Sequence, residues 1–185
     1  MASNYLSKAG LSQLIMIDMQ ERLATVMPQP ALQASINNLS ILVQAAQLLA
    51  VPSIVTEQYP KGLGHTVAAL LALMPSTAPV EKIAFSCMAE PKFSRQLTRD
   101  RSQVILTGME AHICVLQSAL DLLAADKQVF VVEDAIISRN AANKANAIAR
   151  MRDAGCIISN TESIVFEWLA RAEGDAFKAI SKLIR

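Results

Sequence analysis

The chain has 185 residues, 52% hydrophobic and only 18% charged, which is ample apolar material for one substantial core and a length suited to one domain over residues 1–185. With 17 Lys and Arg against 16 Asp and Glu, there is neither the basic excess of a nucleic-acid binder nor the acidic bias of a solvating tail. A small-molecule partner is expected, with no nucleic acid and no membrane, because no run approaches the roughly 20 apolar residues that a membrane helix needs.

Short apolar runs rich in β-branched residues alternate with longer segments of helical period, the pattern of a parallel sheet covered on both faces. The first strand is predicted over Gln13 to Asp18. Pro30 then suits the first turn of a helix, in which Leu32, Ile36, Leu39, Val43, Ala46 and Leu49 repeat at three- and four-residue steps. A second strand follows over Ser53 to Glu57, and a short helix over Thr66 to Leu73. Pro75 and Pro79 mark a loop before a third strand over Glu81 to Phe85. The fourth strand, Gln103 to Thr107, leads into a helix from His112 to Ala125. The fifth, Gln128 to Glu133, leads into one from Ala141 to Ala154, stopped by Gly155 as a C-cap. A sixth strand over Cys156 to Ser159 precedes a tail, Glu162 to Ile184, that reads as two helices separated by Gly174.

The three cysteines, Cys87, Cys114 and Cys156, have neither zinc-site spacing nor the even count of a disulfide framework. They read as reduced thiols, and MASNYLSKAG has no apolar core fit for a signal peptide. A cytoplasmic protein is expected. Few aromatic and many aliphatic residues suit helix-on-sheet packing, with part of the surplus available to cover a subunit contact. A homo-oligomer, dimer or tetramer, is expected.

Ligands of an open parallel sheet bind beyond the carboxyl ends of its strands, so polar residues there are the site candidates. Val104-Ile-Leu-Thr-Gly108-Met-Glu-Ala-His-Ile-Cys114 runs from a buried strand through a glycine turn to a helix start. Free N–H groups and the helix dipole at such a place favour a thiolate and an oxyanion. Cys114 is therefore either a nucleophile or a small buried hydrophobe, as most free cysteines are. Asp18 follows the apolar run Leu14-Ile-Met-Ile and must find a partner or solvent, or else caps the next segment. Lys82, inside the third strand, requires an anionic partner if it faces a covered sheet; otherwise it is a solvated edge lysine. Together, an acid, a cation and a thiol at separate strand ends form a workable nucleophile site. Asp18 would accept the thiol proton and Lys82 would stabilise the thiolate.

Three segments, Ile17-Asp18-Met19-Gln20, Glu81-Lys82 and Gly108-Met-Glu-Ala-His-Ile-Cys114-Val, resemble in order and spacing the catalytic segments of the isochorismatase-like cysteine hydrolases. The resemblance covers roughly Leu14 to Trp168, takes in Thr56-Glu-Gln-Tyr-Pro60 and Glu133-Asp-Ala-Ile-Ile-Ser-Arg139, and points to the isochorismatase domain-containing subgroup. It implies a three-layer α/β/α fold around a Rossmann-like, mainly parallel six-stranded sheet, an Asp18-Lys82-Cys114 triad, and a thioester-type intermediate from an amide or related C–N bond. It also implies a non-proline cis peptide from Met109 to Glu110, aiming N–H groups at an oxyanion beside Cys114. Relatives that hydrolyse nicotinamide carry an Asp-x-His metal pattern after the second strand, where this chain has Glu57-Gln58-Tyr59. His65 with Glu57 does not make up for it, so no metal and no cofactor are expected. Gln58, Tyr59 and His112 remain pocket candidates, His112 also reading as a helix-start histidine satisfied by backbone. Isochorismatase-type vinyl-ether hydrolysis, which needs the acid and lysine but no thiol nucleophile, and a non-catalytic binding or scaffolding role are the alternatives.

Overall fold

The computed structural model describes residues 5–184. Six strands form one sheet: β1 (Ser12–Ile17), β2 (Ser53–Gln58), β3 (Val80–Lys82), β4 (Gln103–Met109), β5 (Gln128–Ile137) and β6 (Ile157–Ser159). All pair in parallel, in the order β3-β2-β1-β4-β5-β6. The crossover direction reverses between β1 and β4, which makes the carboxyl ends of these two strands the expected ligand crevice.

Among the described residues, nine α-helical segments accompany the sheet: α1 (Glu21–Ala24), α2 (Gln29–Leu48), α3 (Pro60–Leu63), α4 (Ala68–Leu71), α5 (Pro91–Gln96), α6 (Leu116–Ala124), α7 (Ala141–Asp153), α8 (Thr161–Leu169) and α9 (Gly174–Leu183). Strand parity sorts the core into two layers. Leu14, Met16, Val55, Ile105 and Phe130 face α2, α8 and α9 through Leu39, Leu42, Ile164, Trp168 and Ile180. Ile15, Ile17, Ile54, Leu106 and Val131 face α5, α6 and α7 through Phe93, Ala119, Leu122, Ala147 and Met151. Every β1 residue is buried, as a central strand covered on both faces must be.

Local chemistry sets the ends of the elements. Asn140 and Asn160 accept from the N–H groups of Ala142 and Ser163, both at 2.8 Å, and cap α7 and α8. Gly155 (φ 106°) closes α7, with its N–H and that of Cys156 donating to the Arg152 and Met151 carbonyls.

Three expectations need correcting. β3 ends at Lys82 instead of Phe85, because the carbonyls of Ala84 and Phe85 turn in to the Lys82 ammonium rather than continuing the ladder. The helix expected from His112 opens as a π-helical turn over Ala111–Val115, in which the Glu110 carbonyl accepts from Ile113 and Val115 at 3.1 and 3.3 Å. Gly174 begins α9 rather than separating the tail helices; the chain turns at Ala170, whose φ is 57°.

Candidate active site

At the carboxyl end of β1, Asp18 adopts a left-handed backbone (φ 51°), which a short polar side chain tolerates better than a branched one. Its side chain is fully buried and divides its oxygens between two neighbouring strands. Thr56 on β2 donates its hydroxyl to Oδ1 at 2.7 Å, and Lys82 on β3 places Nζ 2.7 Å from Oδ2. Lys82 is equally buried. Its ammonium also meets Gln58 Oε1 at 2.6 Å and the carbonyls of Ala84 and Phe85 at 3.2 Å each. Three N–H donors thus face four oxygens, an acceptor shell that helps to offset the desolvation of a buried ion pair. Burial pulls the lysine pKa down, but the Asp18 carboxylate and the thiols of Cys114 and Cys87 outweigh it, and the net shift is upward.

The third group arrives from β4. Gly108 pairs with Ile17 at φ 120°, and a Cβ there would lie 2.0 Å from the Ile17 carbonyl oxygen. Only glycine lets the ends of β1 and β4 approach this closely. The Met109–Glu110 peptide that follows is cis, at the position the family resemblance implies. The π-helical turn then brings Cys114, 6% exposed, close enough to Asp18 and Lys82 for both charges to act on its thiol. Wide turns of this kind recur at functional sites. Burial foremost, then the Asp18 charge, pushes the thiol up to about 12 against the opposing pull of Lys82. The thiolate expected from the helix-start position is thus not the resting state; the proton stays on sulfur beside a carboxylate able to take it.

Two participants were not picked out from the sequence. Thr56 holds the second Asp18 oxygen, and its signal was a hydroxyl near the carboxyl end of an otherwise apolar strand. Cys87, read as filler, lies 3.9 Å from Thr56 Oγ1, and its backbone N–H donates to Ser118 Oγ at 2.9 Å. Nothing in its sequence context distinguished it.

The remaining candidates scatter around this centre. Gln58, taken as a pocket residue, spends its amide on Lys82 Nζ and on the Ile83 carbonyl at 2.7 Å. Tyr59 is half exposed and, with Pro60, Lys61, Lys82, Ile83 and Glu90, lines a cleft of about 350 Å³. The Met109 side chain is buried in the core. The Glu110 carboxylate turns to Arg139, accepting from Nε and from the backbone N–H, and lies 3.4 Å from His112 Nδ1. His112 Nδ1 also meets Ser138 Oγ at 2.9 Å, so side chains, not backbone, hold this ring. Glu57 accepts from the N–H and hydroxyl of Thr66 at 2.7 and 2.8 Å and pairs with His65 at 3.0 Å. Both carboxylate oxygens are therefore occupied by protein donors. Among the described residues, no three His, Cys, Asp or Glu side chains gather as a metal site, and no helix is long and apolar enough to cross a membrane.

Comparison with known proteins agrees with this fold. Isochorismatase domain-containing protein 2 of Danio rerio is 37% identical over 174 residues, 94% of this chain and 86% of that protein. A structure described as the MAR1 ribonuclease of Caenorhabditis elegans superposes with a TM-score of 0.90 at 37% identity, covering 97% of this chain and 92% of the other. The YcaC gene product of Escherichia coli, described as an octameric hydrolase of unknown specificity, gives 0.91 at 21% identity, over 100% of this chain and 91% of its own, a likeness of fold. The model of the isochorismatase domain matches residues 12–163, a span holding every strand of the sheet and the whole Asp18, Lys82 and Cys114 constellation, and the chain belongs to the isochorismatase domain family.

Proposed function

We propose that the protein is a cysteine hydrolase that cleaves an amide or related C–N bond of a small molecule through a thioester at Cys114. The observation that carries this reading is the buried Asp18–Lys82 pair, 2.7 Å apart, with the buried Cys114 thiol within reach of both charges. An acid, a cation and a nucleophile in one water-poor site are the parts that acyl transfer needs. As sulfur attacks the carbonyl carbon, its proton passes to Asp18. The carbonyl oxygen becomes an oxyanion, held by backbone N–H groups of the turn at Cys114. Collapse expels the amine, which takes the proton from Asp18. Water then attacks the thioester, Asp18 again receives the proton, and the departing sulfur takes it back as the acid is released. Lys82, with its N–H groups committed to protein oxygens, acts through its charge, stabilising the anionic sulfur while Asp18 is neutral. We further propose that the protein works as a homo-oligomer.

One observation favours a second reading. With Cys114 pushed up to about 12, the resting site presents a carboxylate and an ammonium but no thiolate, an arrangement suited to vinyl-ether hydrolysis by acid–base chemistry alone. A panel of small primary amides, isochorismate and a single-stranded RNA, assayed for ammonia, pyruvate and chain cleavage respectively, separates these chemistries. Ammonia from one or more amides is the expected result. Pyruvate or cleaved RNA without ammonia would overturn the amidase reading.

A further inference from the structure

We propose that Gln58 is a positioning residue that fixes the Lys82 ammonium against Asp18 and Cys114, rather than part of the substrate pocket; the inference rests on the hydrolase reading for its consequence but not for its test. Gln58 ends β2 directly opposite Lys82. Its amide is clamped at both ends. Oε1 accepts from Lys82 Nζ at 2.6 Å, and Nε2 donates to the Ile83 carbonyl at 2.7 Å. The Nε2 bond determines which end of the amide faces the lysine, since a flipped amide would set an N–H group against an ammonium.

The backbone of Gln58 is held as firmly. Its N–H donates to Gln20 Oε1 at 2.7 Å, while Gln20 Nε2 donates back to the Gln58 carbonyl at 3.0 Å and to Gly64 at 2.6 Å. Gln20 is fully buried, two residues past Asp18. One side chain thus ties the segment after β1 to the end of β2, and Gln58 carries that tie to Lys82 and to the Ile83–Phe85 turn that supplies two further acceptors.

A neutral acceptor matters here for electrostatic reasons. A carboxylate at this position would oppose the lysine charge and strengthen proton binding at Cys114, whereas an apolar side chain would free the ammonium to settle toward the Ala84 and Phe85 carbonyls. The carboxylate would act on Cys114 by its own charge as well as through Lys82, whereas the apolar change reaches Cys114 only through Lys82.

The test measures iodoacetamide alkylation of Cys114 by peptide-resolved mass spectrometry from pH 7 to 10 in the full chain, comparing wild type, Gln58→Glu and Gln58→Met, with melting temperature recorded for each. Gln58→Glu keeps the shape and the acceptor, so it remains informative if Gln58→Met unfolds. The expected result is alkylation about tenfold slower in Gln58→Glu, equivalent to its rate–pH curve moving up by about one unit, and several-fold slower in Gln58→Met. Cys114 alkylation equal to wild type in a folded Gln58→Glu would overturn the proposal, whatever its melting temperature. Because the readout needs no substrate, slowed alkylation in a protein that hydrolyses nothing would sink the hydrolase reading alone, and unchanged alkylation in an active hydrolase would sink the Gln58 assignment alone.

Discussion

Asp18 and Lys82 have no solvent to fall back on, and that sets what each substitution should do. Lys82→Met leaves a buried carboxylate without its counter-ion, a change expected to cost about 3 to 5 kcal/mol of stability by denaturant unfolding. It should also slow alkylation of Cys114, because the group that lowers the thiol pKa is gone. Asp18→Asn should behave differently. The carboxylate holds the thiol proton on sulfur, so its removal leaves Lys82 to favour the thiolate. Alkylation of Cys114 in Asp18→Asn should therefore be faster than in wild type at pH 8, while turnover falls by about 100-fold or more for loss of the base. Slower alkylation in Asp18→Asn would show that the carboxylate does not raise the thiol. The acid and the lysine stood out in the sequence because a charge in an apolar strand needs a partner, while the cysteine was singled out with them by the combination of the three and by the resemblance of their segments to known catalytic ones. Their partners Thr56 and Cys87 were not legible, and Gln58 was legible only as a pocket residue, since a hydroxyl, an amide or a second thiol in a strand or loop carries no such anomaly until neighbouring strands align.

At the level of the elements, the site depends on how closely two strands approach. Gly108→Ala would place a Cβ 2.0 Å from the Ile17 carbonyl oxygen at a φ of 120°, so the ends of β1 and β4 must part. A loss of about 3 kcal/mol or more in unfolding free energy is expected, together with loss of turnover. A variant as stable as wild type would mean that the strands separate without cost. The alternation of β-branched runs and helical stripes made all six strands and the major helices readable, because parallel strands buried on both faces leave a continuous apolar signature. The end of β3 was not readable: Ile83 and Phe85 extend the apolar run, yet the turn there is dictated by a buried ammonium needing carbonyl partners. The π-helical turn was equally hidden, since Ala111 to Val115 fit an α-helical pattern and the wide turn becomes visible only in the hydrogen bonds to Glu110.

Over the whole molecule, buried thiols should limit alkaline stability. Cys87 and Cys156 are each pushed up to about 11, and Cys114 to about 12, all by burial foremost. Between pH 9 and these values, the unfolded chain sheds thiol protons that the folded chain retains, so stability falls as pH rises. Lys82, also raised, acts in the same direction above its ordinary value. Melting temperature should therefore be level from about pH 7 to 8.5 and decline through pH 9 to 11; a level profile to pH 11 would contradict the burial of these groups. Self-association should be evident in sedimentation velocity as a dimer or larger species, and a monomer at micromolar concentration would remove the oligomer proposal. The most direct test of the nucleophile is ammonia release from the best amide of the panel by wild type and by Cys114→Ala at equal concentration. Turnover abolished in a Cys114→Ala protein that melts like wild type is the predicted result, and turnover surviving in that variant would contradict attack by Cys114.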